Sequence, residues 1–270
     1  MLCTSSQNRG ISVEANWRAL LAEIAHANNG LLANTEEVFW YANCAPASFL
    51  NGVLFANFTS DAARRAAEIV QAFQQRARPW LWTVGPSSGP AELRAILQDL
   101  GLTLLETTPG MMLHLEHFGS ETPRDLEIIE VHDAVSSELW LSVRALNHAL
   151  DAPGIDGWRR IYFAQNRTIR GLTHFVGLFR GKPVATASLF IESDTAGIYH
   201  VDTVPAFRRR GFGTAMTAHA LSQAVGRGYS TAALSASAEA APLYREMGFQ
   251  EVTRFLTFQP QSGQPGGKPA

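Results

Sequence analysis

The chain has 270 residues and a mass of 29.4 kDa, long enough for one large domain or two moderate ones at roughly 100–200 residues each. With 46% apolar and 17% charged residues it has the material for a substantial core, which excludes a disordered or fibrous chain. Its 22 Lys and Arg against 24 Asp and Glu leave a net charge of −2, so wholesale binding of nucleic acid is disfavoured. Cys3 and Cys44 make neither a disulfide framework nor a cysteine-rich zinc site, and no histidine pair has metal spacing on one helix. No metal is expected, and the cysteine usage fits a reducing cytoplasm. Met1–Gly10 lacks the apolar centre of a signal peptide. Val38–Ser60 carries no charge, but Asn43, Pro46, Asn51, Gly52 and Asn57 make it two strands joined by a loop and not a membrane span.

In chain order, the first half opens on an amphipathic helix around Trp17–Ala27. It closes on a strand over Gly52–Phe58, a helix over Asp61–Ala77, a strand over Trp80–Val84, a helix over Ala91–Leu100 and a strand over Leu102–Leu115, interrupted near Pro109-Gly110. His117–Asp125 gathers Gly, Ser, Thr and Pro as a connection does. The second half then reads as a strand (Leu126–Val131) and a helix (Ser136–Leu150) facing inward with Leu139, Val143, Leu146 and Leu150. A second helix runs over Trp158–Arg167. Strands over Thr173–Phe179 and Val184–Ile191 turn at Arg180-Gly181-Lys182-Pro183, and a further strand spans Gly197–Thr203. A helix over Arg210–Gly226 buries Met216, Ala220, Leu221, Ala224 and Val225. Strand Thr231–Ser235, helix Glu239–Met247 and strand Phe249–Phe258 complete it. The expected class is α/β, a mixed sheet with helices on its faces. The halves look like distant copies, since both last helices end alike, Asp99-Leu100-Gly101-Leu102 beside Glu246-Met247-Gly248-Phe249, with glycine as the left-handed stop. Three segments are expected: 1–118, 119–258, and a tail at 259–270 with little to bury.

The most informative stretch is Val201-Asp-Thr-Val-Pro-Ala-Phe-Arg-Arg-Arg-Gly-Phe-Gly-Thr214. A strand ends at Pro205, which cannot donate a ladder hydrogen bond. Arg208, Gly211 and Gly213 follow in the spacing R-x-x-G-x-G, just before a helix. Glycines let backbone approach phosphates, and the amides and dipole of a helix start favour negative charge. Two competitors fail. A dinucleotide-binding turn needs a third glycine where Met216 stands and belongs at the first strand of a βαβ unit, and the ATP-binding P-loop needs Gly-Lys-Ser/Thr. His132-Asp133 with Ser136 lacks any nucleophile elbow.

This stretch, followed by a helix, the strand TAALS and then APLYREMGF, resembles the GNAT superfamily of acyl-CoA-dependent N-acetyltransferases over roughly residues 124–258. The resemblance implies a central strand parted from its neighbour, with acetyl-CoA as acyl donor and an amine as acceptor. It implies that Val201, Asp202, Thr203 and Val204 supply the strand edge, and that Arg208, Arg209, Arg210, Gly211, Phe212, Gly213 and Thr214 hold the pyrophosphate. Tyr244 takes the place of a tyrosine that protonates the departing thiolate in many relatives, a role that suits a phenol beside sulfur. Where many relatives have a cofactor-contacting asparagine, this chain has Ser235-Ala236-Ser237-Ala238, with Ser237 as a shorter substitute. His200 and Asp202, two apart on one strand and so on one sheet face, are candidate bases, with Glu192 nearby. With no cysteine near the motifs, direct transfer without an acyl-enzyme is expected. The first half has no R-x-x-G-x-G and no counterpart of Tyr244, so it reads as a degenerate copy that supports the second, while Trp158, Arg159 and Tyr162 are either the acceptor wall or buried aromatic packing. A non-catalytic acyl-CoA sensor and a transferase of longer acyl groups are the alternatives. The sequence leaves the acceptor's identity and the oligomeric state open.

Overall fold

A computed structural model describes residues 2–43, 47–116, 125–164 and 169–261. In chain order its elements are α1 (Leu2–Ala27), β1 (Leu31–Asn34), β2 (Val38–Ala42), β3 (Asn51–Ala56), α2 (Ala62–Gln75), β4 (Leu81–Val84), α3 (Leu93–Asp99), β5 (Leu102–His114), β6 (Leu126–Glu130), α4 (Ala134–His148), α5 (Ala152–Tyr162), β7 (Leu172–Phe179), β8 (Lys182–Glu192), β9 (Thr195–Thr203), α6 (Phe212–Gly226), β10 (Thr231–Ser235), α7 (Ala241–Glu246) and β11 (Gln250–Pro260). They form mixed sheet with helices, the α/β class expected from sequence. No described helix is long and apolar enough to cross a membrane. Of the connection at His117–Asp125 only Asp125 is described, and most of the tail lies outside the described residues.

The chain divides into two compact units, the first holding residues 1–110, 235–238 and 251–270 and the second holding 111–234 and 239–250. The sequence suggested a simple cut after residue 118 with the last strand in the second half. Contacts instead group β11 with the first unit, where it runs antiparallel to β4 with Phe258 opposite Trp82.

In the first unit the strand order is β1-β2-β3-β4-β11-β5. The side chains of β2 alternate: Val38 and Ala42 join one apolar cluster, Phe39 and Tyr41 the other. The larger cluster is built from Val53, Phe58, Trp80, Trp82 and Phe258, closed by Ala66, Val70 and Phe73 on one stripe of α2. Phe73 stacks on Trp80 with ring centroids 5.0 Å apart. Strand β3 runs parallel to β4, paired at Gly52↔Leu81 and Val53↔Trp82. Only glycine fits at 52, because a Cβ there would lie 2.0 Å from the Leu81 carbonyl oxygen. Strand β5 runs unbroken through Pro109-Gly110, where an interruption was expected.

In the second unit β6, β7, β8 and β9 form an antiparallel meander, with β10 parallel to β9. The β7–β8 turn is the two-residue Arg180-Gly181, both left-handed (φ 52° and 74°), the twist a tight hairpin prefers. Helix α6 buries Met216, Ala220, Leu221 and Ala224 as expected, but Val225 is exposed. Helix α4 departs further from its expected stripe. Leu146 is 62% exposed, and the buried face is Ser136, Trp140, Leu141, Val143 and Arg144. The trio His132-Asp133-Ser136 is the start of that helix. The Asp133 carboxylate accepts from the Ser136 amide at 2.7 Å, and the Ser136 hydroxyl meets the Asp133 amide at 3.1 Å, closing a capping box. Helix α5 begins at Ala152, six residues before its expected start. Asp151 caps the Gly154 amide, and Pro153 sits in the first turn, where its missing N–H is harmless.

If β11 completes the first core, Phe258→Ala lowers stability by about 3–5 kcal/mol, as buried aromatic-to-alanine changes do. Urea unfolding followed by tryptophan fluorescence checks this, and a loss below about 1 kcal/mol would contradict the placement.

Candidate active site

Strand β9 is bonded very differently on its two flanks. Against β8 it pairs from Glu192↔Thr195 through Ala185↔Thr203. Against β10 it pairs only at Ala196↔Ala232 and Gly197↔Ala233. From Ile198 onward its second flank has no register partner in β10, and this is the segment that contains the expected Val201, Asp202 and Thr203. The register slips between Thr186 and Ser188, so that β9 spends an extra residue between Tyr199 and Asp202. His200, at φ 52°, is the left-handed residue of that bulge.

After Val204, whose amide bonds back to the Val184 carbonyl at 2.8 Å, a 3-10 turn over Pro205–Phe207 leads into the arginine loop. Arg209 (φ 62°) and Gly211 (φ 78°) both adopt left-handed backbone, and Gly211 is the N-cap of α6 without a side-chain cap. The first amide of α6 to bond back is that of Ala215, to the Gly211 carbonyl at 2.9 Å, so the amides of Phe212, Gly213 and Thr214 precede the first helical bond. The side chains of the loop separate in function. Arg208 ties the end of β9 to α4 through the Thr203 carbonyl (3.3 Å) and Asn147 (3.0 Å). Arg210 lies over the rings of Phe207 and Phe179, and Phe212 is buried, so Phe212 offers only its backbone outward.

Tyr244 is buried on α7, its amide bonded to the Ala240 carbonyl and its ring against Phe249. Its hydroxyl meets that of Thr217 on α6, and burial pushes its pKa up to about 12, with the Thr217 bond opposing. Thr217 gives its own proton to the Gly213 carbonyl at 2.9 Å, so it is the acceptor for the tyrosine proton. The phenol is therefore protonated and tethered through Thr217 to the second turn of α6. Ser237 is exposed in the segment 235–238, which groups with the first unit.

The expected base pair sits in a buried polar chain. Tyr162 Oη is 3.2 Å from His200 Nε2, His200 Nδ1 is 3.1 Å from Ser188 Oγ, and Ser188 Oγ is 2.6 Å from His174 Nδ1. One serine proton cannot serve both rings, so the chain of donors runs one way or the other. In either direction both nitrogens of His200 are engaged. Burial, then the charge of Arg144, holds His200 well below its ordinary pKa and lowers His174 to about 3. Asp202 pairs with Arg144, a contact between a carboxylate and a guanidinium that is only 6% exposed. Arg144 lies 4.4 Å over the Trp158 ring, and its pKa is pushed down to about 9 by burial. Trp158 and Tyr162 are packed core rings, not an open wall, and Arg159 is tied to Glu138 and Asp156. Sequence reading missed Arg144 and His148, whose imidazole is 44% exposed with Nε2 3.5 Å from Asp202 Oδ2. The only signal was their spacing, one helical turn apart on α4.

The first unit repeats the parted strands and fills the gap with its own chain. Beyond Val53, the Gly89 amide bonds to the Ala56 carbonyl at 2.8 Å and the Phe58 amide to the Gly89 carbonyl at 3.1 Å. Ahead of α2, Glu37 accepts from the Thr59 hydroxyl (2.7 Å) and amide (3.3 Å) and pairs with Arg65 at 2.7 Å. The Thr59 hydroxyl first, then Arg65, lower its pKa to about 2. An internal carboxylate thus stands where the second unit has its arginine loop.

His174 and His200 are neutral in the fold, whereas unfolded histidine titrates near 6.5. Below that pH the unfolded chain binds more protons, so stability is full above about pH 7 and is lost as pH falls. The slope approaches about 1.4 kcal/mol per pH unit for each ring. Denaturant midpoints measured from pH 7.5 to 5 check this, and constant stability across that range would contradict two neutral rings.

Residues 142–249 match the acetyltransferase (GNAT) family. Comparison with curated protein sequences finds no match. Among solved structures, a GCN5-related N-acetyltransferase from Kribbella flavida is similar at 18% identity and a TM-score of 0.72, covering 93% of this chain and 96% of that one. A tandem GNAT protein from the clavulanic acid biosynthesis pathway aligns at 13% identity and a TM-score of 0.59, covering 95% and 96%. A GCN5-related N-acetyltransferase from Sphaerobacter thermophilus aligns at 13% identity and a TM-score of 0.61, covering 86% and 78%. The family match thus falls on the motif-bearing second half, and nearly the whole chain has the fold of a tandem GNAT protein.

Proposed function

We propose that the second unit transfers an acetyl group from acetyl-CoA directly to a primary amine. The observation that carries this reading is the flank of β9 that β10 leaves unpaired from Ile198 onward, leading straight into the left-handed glycine at the start of α6. Backbone groups at such an edge call for a hydrogen-bonding partner, and an extended amide-bearing arm meets that need. The amides of Phe212, Gly213 and Thr214, with Arg209 and Arg210 beside them, suit a pyrophosphate. Arg208 is assigned to holding the loop against α4, consistent with its bonds to Asn147 and Thr203.

The donor supplies an acyl group activated as a thioester. Tyr244 supplies the proton that the leaving sulfur takes up, and its elevated pKa keeps that proton in place until charge develops. Asp202 contributes through its buried pairing with Arg144, which fixes the carboxylate beside the β9 bulge. His200 holds that bulge and is a positioning residue, since its ring nitrogens are both engaged. The first unit acts as a support without a cofactor site of its own, its edge satisfied by Gly89 and its helix entrance by Glu37.

Two outcomes follow. Tyr244→Phe lowers kcat by about 100-fold, within the range for general acids, and leaves CoA affinity within about twofold. Thiol release with acetyl-CoA and a panel of primary amines reads the first, calorimetry the second. Gly211→Val forces a β-branched side chain into left-handed backbone and weakens CoA binding by about tenfold or more. Undiminished binding would remove the loop from the site. Tight CoA binding with no thiol release from any amine would favour a sensor, and faster turnover of propionyl- or succinyl-CoA would favour a longer acyl group.

A further inference from the structure

The first unit holds a cavity that a supporting role does not call for. It has a volume of about 270 Å³ and lies where α1 and α2 both stop, beside Asn29 and Gly30 after the one and Arg76 and Arg78 after the other. Its described lining falls within residues 29–78, inside a single unit. The helix entrance that Glu37 occupies is at the other end of α2.

The cavity has two walls of opposite character. On the first, the left-handed Ala77 (φ 49°) turns the chain between two arginines. Arg76 lies 5.9 Å over the Phe73 ring and 5.8 Å over that of Trp40, and Arg78 donates to the Asn43 carbonyl at 3.3 Å. Those contacts set both guanidiniums at the cavity. None of its described lining residues is acidic, and neither arginine has a carboxylate partner among the described residues. Two cations without a counter-ion suit a carboxylate, which a guanidinium meets with paired hydrogen bonds.

The second wall carries an acceptor. Asn43 is 3% exposed; its backbone amide donates to Asn51 Oδ1 at 2.9 Å and its Nδ2 to the Leu50 carbonyl at 2.8 Å. Its Oδ1 is buried and accepts from no donor, a rare state for an enclosed polar atom. Gly30 abuts this oxygen. A Cβ there would lie 2.6 Å from Oδ1, so glycine keeps that corner clear. Helix α1 ends beside it after 26 residues, and a helix C-terminus carries partial negative charge. An unfilled acceptor next to such an end suits an ammonium. Between the walls lie Phe73 and Ala42, both buried, and Leu31, which is 51% exposed at the edge.

We infer that this cavity binds a free α-amino acid with an apolar side chain. Its carboxylate meets Arg76 and Arg78, its ammonium meets Asn43 Oδ1 and the end of α1, and its side chain covers Phe73, Ala42 and Leu31. A plain organic acid would answer the arginines and leave Oδ1 bare. A plain amine would answer Oδ1 and leave two cations bare. A zwitterion with both charges on one carbon answers both walls at once. Arginines placed only to offset the dipole of α2 would account for the first wall and not for the bare acceptor of the second. The site belongs to the first unit alone, so it stands whether or not the second unit transfers acetyl groups.

NMR titration of the full chain with L-phenylalanine tests this. Saturable shifts are expected, with a Kd at or below about 1 mM. Two analogues divide the charges: 3-phenylpropanoate lacks the ammonium, phenethylamine lacks the carboxylate, and each binds at least about tenfold more weakly. Arg76→Gln and Arg78→Gln, both at exposed positions, each weaken L-phenylalanine by about tenfold and leave the melting temperature and CoA affinity in place. Absence of saturable shifts up to about 10 mM overturns the inference. So does binding that both arginine variants leave unchanged, which would put the ligand elsewhere. Equal affinity for 3-phenylpropanoate overturns the amino-acid assignment, because the acceptor wall would then contribute nothing.

Discussion

Strand β9 is hydrogen-bonded along nearly its full length to β8 and at two positions to β10, and the remaining features of the second unit follow from that asymmetry. Backbone amides and carbonyls demand partners, so a central strand with one bare flank is an unstable arrangement unless something else fixes its course. Here the fixing is done from the α4 side. The left-handed bulge at His200 is clasped by Tyr162 and Ser188, and Asp202, two residues on, is clasped by Arg144. A buried ion pair contributes little net stability, yet losing one partner is strongly destabilising, which makes such a pair effective at imposing one geometry. The strand can stay open toward β10 because it is held so firmly on the other side.

The two units make the same opening and treat it in opposite ways. Both have a pair of parallel strands that meet at two positions, both continue into a helix, and both end their last helix on a left-handed glycine, Gly101 (φ 82°) and Gly248 (φ 94°). In the first, Gly89 and Glu37 occupy the strand edge and the helix entrance from within the chain. In the second, the corresponding groups belong to β9 and the arginine loop. Such an opening can be closed from within the chain without disturbing the sheet; a glycine in a loop and a glutamate just before β2 suffice.

Much of this was legible in the sequence where the signal is local. Glycine spacing, the proline after β9, the closing glycines and the period of α2 each depend on neighbours a few residues apart, and α2, β9 and α6 lie close to their expected places, whereas α1 begins at Leu2 and not near Trp17. The errors have a common cause in long-range packing. Leu146 continued an apolar period on α4 but points outward, because the inward face is shaped by Trp140 and Arg144 against β9. A buried arginine is invisible to a reading that treats charge as solvent-facing, since its partner lies 58 residues away. His200 and Asp202 were found as neighbours on a strand, but nothing in their spacing revealed that Tyr162 and Ser188 consume the histidine. The start of α5 was missed because Pro153, Gly154 and Gly157 are poor helix formers. The Asp151 cap was the available cue.

The placement of β11 bears on how the polypeptide matures. The first unit has two of its helices and four of its strands within the first 84 residues, but Trp82 and Thr83 on β4 meet their antiparallel neighbours Phe258 and Thr257 only near the far end of the chain. A nascent chain emerging from the ribosome can thus complete the interior of the second unit while the earlier one still lacks a central strand. The part synthesised first is the part that finishes last, and a transcript truncated shortly after α7 yields a protein whose arginine loop is intact and whose opening third is unsealed.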